Sequence, residues 1–445
     1  MKNVLIHGNL NIFSKIQPHK VCLINGKLQF SYQEFAQQVD CLAHRLATLI
    51  KKGDKVLVKL SSPVSQLLYF FGIVTAGGAC VFIDSSTSEE VCAELLKIHS
   101  IDLYIDEKFQ LPRASDLSLP DIYQENIFLG ALSSGSTGTP KLIWRDHQSW
   151  TRAFPVQSKV FNISTSDKLY LVGSLGYTAN LNACLHLLAE GGTIVIASSS
   201  LPRTWVGEII LHHVSAIFMV PTNYRILLKV IKTPLPQIKS AVTAGAKIDL
   251  QTVQNLMTYF PHAEIYEYYG ASELGHVSYS TTVDFLQHPE SVGKAFPGVT
   301  ISIKDHCIWA KSPYLAPKYR PTATVGDLGR LDTEGYLYVL GRKQGIINTG
   351  GIKIIPEQVE AILLQCPGIT AAVVGGIDDP LRGQRVCAWV VKNKATLRTE
   401  DILDFCRKKI RHHYCPHTII FIDEMPINKN GKIDRIKLQS EEGRC

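Results

Sequence analysis

The sequence predicts an α/β protein with a mainly parallel sheet, divided into more than one domain. Strand-like runs rich in β-branched residues, "KVLVKL" (55–60), "TIVIA" (193–197) and "AIFMVP" (216–221), alternate with helical stretches such as "SYQEFAQQVDCLAHRLATLI" (31–50), the alternation of parallel βαβ units. At 445 residues the chain exceeds what one hydrophobic core usually supports. Its 45% hydrophobic content is that of a folded globular protein.

Taken in order, "LLYFFGIVTAGGACVFID" (67–84) is the most apolar early stretch. Gly72, Gly77 and Gly78 interrupt it and an acid ends it, so it reads as a buried helix and strand rather than a membrane span. "IFLGAL" (127–132) reads as a buried strand. From Val325 to Gly351 the chain is dense in glycine and short β segments, and "PEQVEAILLQC" then starts a new helix. The boundary is placed just after Arg342, giving domains 1–342 and 343–445; the second is about one small domain's worth of chain.

The net charge of +7, from 46 Lys and Arg against 39 Asp and Glu, includes no long basic run, so nucleic acid is not expected as a partner. Eleven cysteines are scattered without a CxxC pair, and the amino terminus lacks an apolar core with a small-residue cleavage site. Reduced thiols, a cytoplasmic location and no transmembrane segment are expected.

"SSGSTGTPK" (133–141) follows the 127–132 strand. Gly135 and Gly138 can turn successive N–H groups toward one anion, while Ser133, Ser134, Ser136, Thr137 and Lys141 add donors and charge. The GxxxxGK[ST] order of a P-loop is absent, because Leu142 follows Pro140-Lys141.

This loop resembles the [ST]SG[ST]TGxPKG signature of the adenylate-forming superfamily, which holds acyl-CoA synthetases, peptide-synthetase adenylation domains and luciferases. "FSYQEF" (30–35), "AGGACVFID" (76–84), "YYGASE" (268–273), "GDLGRLDTEGYLYVLGR" (326–342), "GGIKIIPEQVE" (350–360) and "NGKIDR" (430–435) match further motifs in the family's order, over nearly the whole chain. The resemblance implies a large amino-terminal domain of layered α/β subdomains with a β-rich part, and a small, mobile α+β carboxy-terminal domain. It also implies a reaction: a carboxylate attacks the α-phosphate of ATP, with Mg²⁺, and the acyl-adenylate passes its acyl group to the thiol of coenzyme A. Positioning and electrostatics then supply the catalysis.

The resemblance assigns residues as follows. Ser133 to Gly138 and Lys141 would cradle the β- and γ-phosphates. Glu273 matches a Mg²⁺ ligand, Ser272 a hydroxyl beside the α-phosphate, and Tyr269 an adenine wall beside which Gly270 leaves room. Asp327 would accept both ribose hydroxyls and Arg342 would make a second ribose or phosphate contact. Lys432 matches the lysine that bridges substrate carboxylate and α-phosphate, Gln344 the hinge, and Gly350-Gly351 the turn beside the pantetheine tunnel. Leu142, where the family usually has glycine, and Gln344-Gly345, in place of a common acidic pair, depart from the pattern.

Thr178 falls where amino-acid-activating relatives place an aspartate, and Tyr177 where many acyl-CoA synthetases have histidine. An α-ammonium group would be left unpaired, a costly burial, so a fatty or aryl acid is favoured. Its pocket is expected from the segments 173–183, 220–224 and 243–247, with Tyr177, Thr178, Thr222 and Gly245. "RHHYCPH" (411–417) aligns with a helix-to-strand turn rather than a zinc site, His212-His213 ends a helix, and Cys184 is packing. Two readings stay open beside the acyl-CoA synthetase: an adenylation enzyme that loads a carrier protein, and a non-catalytic nucleotide-binding protein.

Overall fold

A computed structural model of the chain describes residues 5–113, 117–133, 141–427 and 433–440. They fall into two compact units, Met1–Ile301 with Ala310–Ala323, and Ser302–Trp309 with Thr324–Cys445.

The first unit holds a nine-stranded sheet whose order is Lys294–Ala295, Gly275–Ser280, Glu264–Ala271, Ser240–Ala244, Ala216–Phe218, Lys168–Leu171, Thr193–Ile196, Val21–Asn25, Leu28–Ser31. The strands from Glu264–Ala271 through Val21–Asn25 are parallel, and antiparallel partners close both edges. All-buried strands such as Thr193–Ile196 and Ser240–Ala244 need apolar cover on both faces. Helices Pro202–Leu211, Pro221–Leu228 and Leu250–Tyr259 bring Trp205, Tyr224, Leu227, Val253 and Leu256 into one core with Ile217 and Ile265.

A second sheet in this unit has the order Leu103–Asp106, Lys55–Lys59, Ala79–Phe82, Ile127–Ser133, Lys141–Asp146, parallel except for its last pair. The apolar stretch 67–84 is the expected helix and strand, Pro63–Thr75 and Ala79–Phe82. Helix Tyr32–Leu46 starts at a capping box formed by Ser31 and Glu34 and buries Phe35, Val39, Leu42 and Leu46 at helical spacing.

In the second unit, Asp327–Leu331 and Leu337–Arg342 pair antiparallel. A further sheet of Ile352–Ile354, Ile347–Thr349, Gly383–Lys392 and Ile369–Asp379, with Thr418–Phe421 beside Gly383–Lys392, packs on helices Pro356–Leu363 and Thr399–Lys409. This small α+β unit beside a large α/β one is the architecture that the resemblance implied. "RHHYCPH" forms the expected connection, between the end of helix Thr399–Lys409 and strand Thr418–Phe421. Among the described residues no helix is long and apolar enough to cross a membrane.

Candidate active site

The anion-loop motif spans the two strands of a hairpin. Ser133 ends one strand and pairs with Lys141, which begins the next; Lys141 is exposed. Ser134, Gly135, Ser136, Thr137 and Gly138 lie outside the described residues. Leu142 pairs with Leu132, and both pack with Trp144 against the Leu57–Val81 core, which gives the family's usual glycine position a packing role here.

The second strand of that hairpin ends in Arg145 and Asp146, and Arg145 is a site residue that the sequence analysis missed. It is 1% exposed. Its Nη1 donates to the Ser272 carbonyl at 2.9 Å, and its Nη2 to the carbonyls of Tyr314 at 2.7 Å and Ser149 at 3.3 Å. Burial brings the guanidinium down to about 9, so it remains cationic at neutral pH. A buried cation thus clamps the backbone of the motif "YYGASE". The only signal in the sequence was a charge inside the apolar strand pattern "KLIWRD". Asp146 beside it caps the helix that begins at His147 and accepts from Arg320 at 2.7 Å.

Tyr269 and Gly270 lie on strand Glu264–Ala271, whose hairpin with Gly275–Ser280 shifts register between those two residues. A Cβ on Gly270 would stand 2.3 Å from the Gly275 carbonyl. The hairpin itself therefore requires glycine at that position. Ser272 and Glu273 occupy the turn. Ala316 donates its backbone N–H to the Glu273 carbonyl at 2.9 Å, while the half-buried Glu273 carboxylate makes no hydrogen bond or ion pair among the described residues. The charge of that carboxylate reaches Arg145 and Tyr319. A partly exposed carboxylate with open lone pairs supplies the oxygen ligand that a hard divalent ion takes.

The expected acid-binding residues sit at element starts and turns. Tyr177 is the N-cap of helix Thr178–Glu190, with its phenol pushed up to about 12 by burial. Thr222 is in the first turn of helix Pro221–Leu228, and Gly245, with φ +90°, follows strand Ser240–Ala244. Lys247 of the same segment is committed elsewhere: its Nζ is 2.7 Å from the buried Glu267 and donates to the Ser291 carbonyl.

A cavity of about 20 Å³ lies among helices Phe154–Val160 and Thr178–Glu190 and strands of the nine-stranded sheet. Asn182, Ala183 and Val242 line it together with Phe218, Tyr268 and polar side chains of Gln157, His186 and His276. None of Tyr177, Thr178, Thr222 and Gly245 does. The Tyr268 hydroxyl is pushed far up by burial and then by the field of Tyr177. His186 Nε2 meets Ser158 Oγ at 2.8 Å. A larger cleft, about 390 Å³ and open to solvent, lies at the other end of the same strand, beside Glu264 and Tyr266.

In the second unit, Asp327 and Arg342 are direct cross-strand partners. Asp327 is 5% exposed and its Oδ1 lies 3.3 Å from Arg342 Nε. The two ribose candidates are therefore already an ion pair, and the Arg342 side chain is two-thirds exposed. Gln344 is in the single 3₁₀ turn Lys343–Gly345. Gly350 and Gly351, at φ +57° and +87°, form the two-residue turn joining Ile347–Thr349 to Ile352–Ile354, and nothing stands within 4 Å of where their Cβ atoms would be. Two positive φ angles make glycine the natural residue there.

Lys432 lies outside the described residues. On either side of the gap Ile427 and Ile433 form an antiparallel bridge. Arg435, three residues past Lys432, ties this segment to helix Pro356–Leu363 through Glu360 at 2.8 Å and to the Val374 carbonyl at 2.8 Å.

Comparison with known proteins identifies the family of the chain. A family model described as AMP-binding enzyme matches residues 13–125 and 120–308, and one described as AMP-binding enzyme C-terminal domain matches 358–432. The uncharacterized acyl–CoA ligase YhfT of Bacillus subtilis is 29% identical, with 96% of each chain covered. The 2-succinylbenzoate–CoA ligase of Bacillus pumilus is 24% identical, again over 96% of each. The solved o-succinylbenzoate CoA synthetase of Bacillus subtilis, in complex with an acyl-adenylate intermediate, superposes with a TM-score of 0.86 at 20% identity and 97% coverage of both chains, a likeness of fold. The chain belongs to the AMP-binding enzyme family, within the adenylate-forming superfamily.

Proposed function

We propose that this chain is an ATP- and Mg²⁺-dependent acyl-CoA synthetase that joins a carboxylic acid, of the fatty or aryl class, to ATP as an acyl-adenylate and then transfers the acyl group to coenzyme A. The observation that supports this most is the turn at Ser272-Glu273, where a buried guanidinium fixes the backbone and the Glu273 carboxylate has no partner among the described residues. The names of the relatives and a solved neighbour bound to ATP and magnesium point the same way.

In this reading Glu273 holds Mg²⁺, which would neutralise charge on the phosphates. Ser133 to Gly138 and Lys141 bind the β- and γ-phosphates, Ser272 the α-phosphate, and Tyr269 packs on the adenine. Asp327, with Arg342 beside it, accepts from the ribose hydroxyls. Lys432 bridges the attacking carboxylate and the α-phosphate, so its cation offsets charge as the new bond to phosphorus forms and pyrophosphate departs. Because Lys432 lies in the second domain, which we place from residue 343 onward, closure about Gln344 would gate this step. The open side of Gly350-Gly351 then leaves space for a pantetheine arm.

The proposal places the enzyme in the cytoplasm, with no nucleic-acid partner. Purified protein incubated with Mg-ATP, an acid panel and either coenzyme A or a phosphopantetheinyl carrier protein should form the thioester with free coenzyme A. Preferential loading of the carrier would change the acceptor to an acyl carrier protein. Nucleotide binding with no adenylate from any acid would leave a non-catalytic binding protein.

A further inference from the structure

Two polar side chains that line the cavity each carry a buried nitrogen with no hydrogen-bond partner among the described residues. Gln157 is 1% exposed and its Nε2 makes no hydrogen bond; His276 is 5% exposed and its Nε2 makes none. They reach the cavity from helix Phe154–Val160 and strand Gly275–Ser280, and both line it. A buried polar atom without a partner costs about 1–3 kcal/mol, so two that face one cavity call for a ligand atom between them. The rest of the wall combines apolar Phe161, Phe218 and Val242 with the polar groups of Asn182, His186 and Tyr268.

The cavity also lies beside the proposed site of adenylation. Tyr268 on its wall immediately precedes Tyr269 and Gly270, and His276 is the cross-strand partner of Gly270. Asn182 stands one helical turn after Thr178. From Tyr268 to Ala271, where the strand ends before Ser272, is three residues, about 10 Å of extended strand, a distance that a single-ring or medium-chain acid spans and a long alkyl chain overruns.

We propose that the acid activated by this chain carries an uncharged oxygen, a hydroxyl or carbonyl, at the end remote from its carboxylate, and that Gln157 and His276 bind that oxygen at the cavity floor. The inference rests on the adenylation reading and adds the substrate's chemical class to it. About 20 Å³ holds one oxygen-sized group. The Gln157 amide donates to this oxygen. A hydroxyl can donate in turn to His276 Nε2; a carbonyl accepts a hydrogen bond from Nε2–H in the alternative tautomer of the same ring. A second carboxylate is disfavoured, because no Lys or Arg lines the cavity and burial holds both imidazoles neutral, down to about 3. A methyl end leaves both polar groups unpaired, the situation in which a site rejects an isostere most strongly.

The test is ATP–pyrophosphate exchange by the full chain with paired acids of equal length and shape, such as ω-hydroxy or ω-oxo acids against their methyl-ended counterparts, and para-hydroxy against para-methyl aryl acids. The polar member of a pair should show kcat/KM at least about 10-fold higher. Gln157→Leu and His276→Phe, each checked for folding by its thermal transition, should move that ratio about 10-fold toward the methyl member. Equal use of both members, or preference for the methyl member, by the unaltered protein overturns the inference and leaves adenylation intact. Absence of exchange with every acid overturns the adenylation reading and this inference together.

Discussion

Two antiparallel hairpins present the candidate nucleotide residues, and they are held in place by different means. In the first unit, the turn between Glu264–Ala271 and Gly275–Ser280 is fixed by the fully buried Arg145, whose fork reaches three carbonyls. In the second, Asp327–Leu331 and Leu337–Arg342 are fixed by their ladder and by one ion pair whose arginine is two-thirds exposed. The difference teaches that the two halves of the proposed site are set to different tolerances. The backbone of Ser272 and Glu273 is positioned by the core of the first unit, so altering its support, Arg145, disturbs folding. Asp327 and Arg342 are positioned locally, so altering them disturbs ligand contacts and little else.

Acidification gives the largest separation between the units. His147, His186 and His276 are lowered to about 3 and His7 to about 4, in each case chiefly by burial, and all four belong to the first unit. Their folded values lie below the unfolded value of 6.5, so the stability they contribute is present above pH 6.5 and is lost as pH falls toward 3. At pH 5 each ring costs roughly 2 kcal/mol. Glu190 and Glu267, raised by burial, work in the opposite direction, two groups against four. Hydrogen exchange read by mass spectrometry at pH 7 and pH 5 should show the first unit losing protection first. Simultaneous loss in both units would break the comparison.

Replacing Arg145 by methionine leaves the carbonyls of Ser272, Ser149 and Tyr314 without their donor, and should cost about 3–5 kcal/mol in a denaturant titration. A loss under about 1 kcal/mol would mean that the turn is held by something else. Asp327→Asn should instead raise the KM for ATP about 10-fold or more, through one charge-assisted contact, with the unfolding midpoint nearly unchanged. Arg342→Ala should be the mildest, under about 1 kcal/mol in stability, since an exposed ion pair contributes little. A larger effect of Arg342→Ala on folding would erase the contrast between the hairpins.

Much of this architecture was legible in the sequence because it rests on local chemistry. Apolar, β-branched runs marked the strands at 55–59, 193–196 and 216–218, and the stretch 31–50, read as helical, holds helix Tyr32–Leu46. The ordered motifs located Glu273, Asp327 and the Gly350-Gly351 turn. Arg145 was not legible, because a charge in a strand pattern reads as an outward-facing residue until the three carbonyls around it are known. Nor was the cavity floor: Gln157, His186 and His276 are far apart in the chain and are brought together only by the packing of two helices against the sheet. The discontinuous make-up of the units, with Ser302–Trp309 grouped with residues from Thr324 onward, depends on tertiary contacts that no periodicity encodes.

The central claim is adenylation of an acid at the site containing Glu273 and Lys432, and ATP–pyrophosphate exchange without coenzyme A tests it most directly. Comparing the unaltered chain with Glu273→Gln and Lys432→Ala, the account predicts acid-dependent exchange that falls at least about 100-fold in each variant. Exchange unaffected by both substitutions, or no exchange with any acid while ATP still binds, would contradict it.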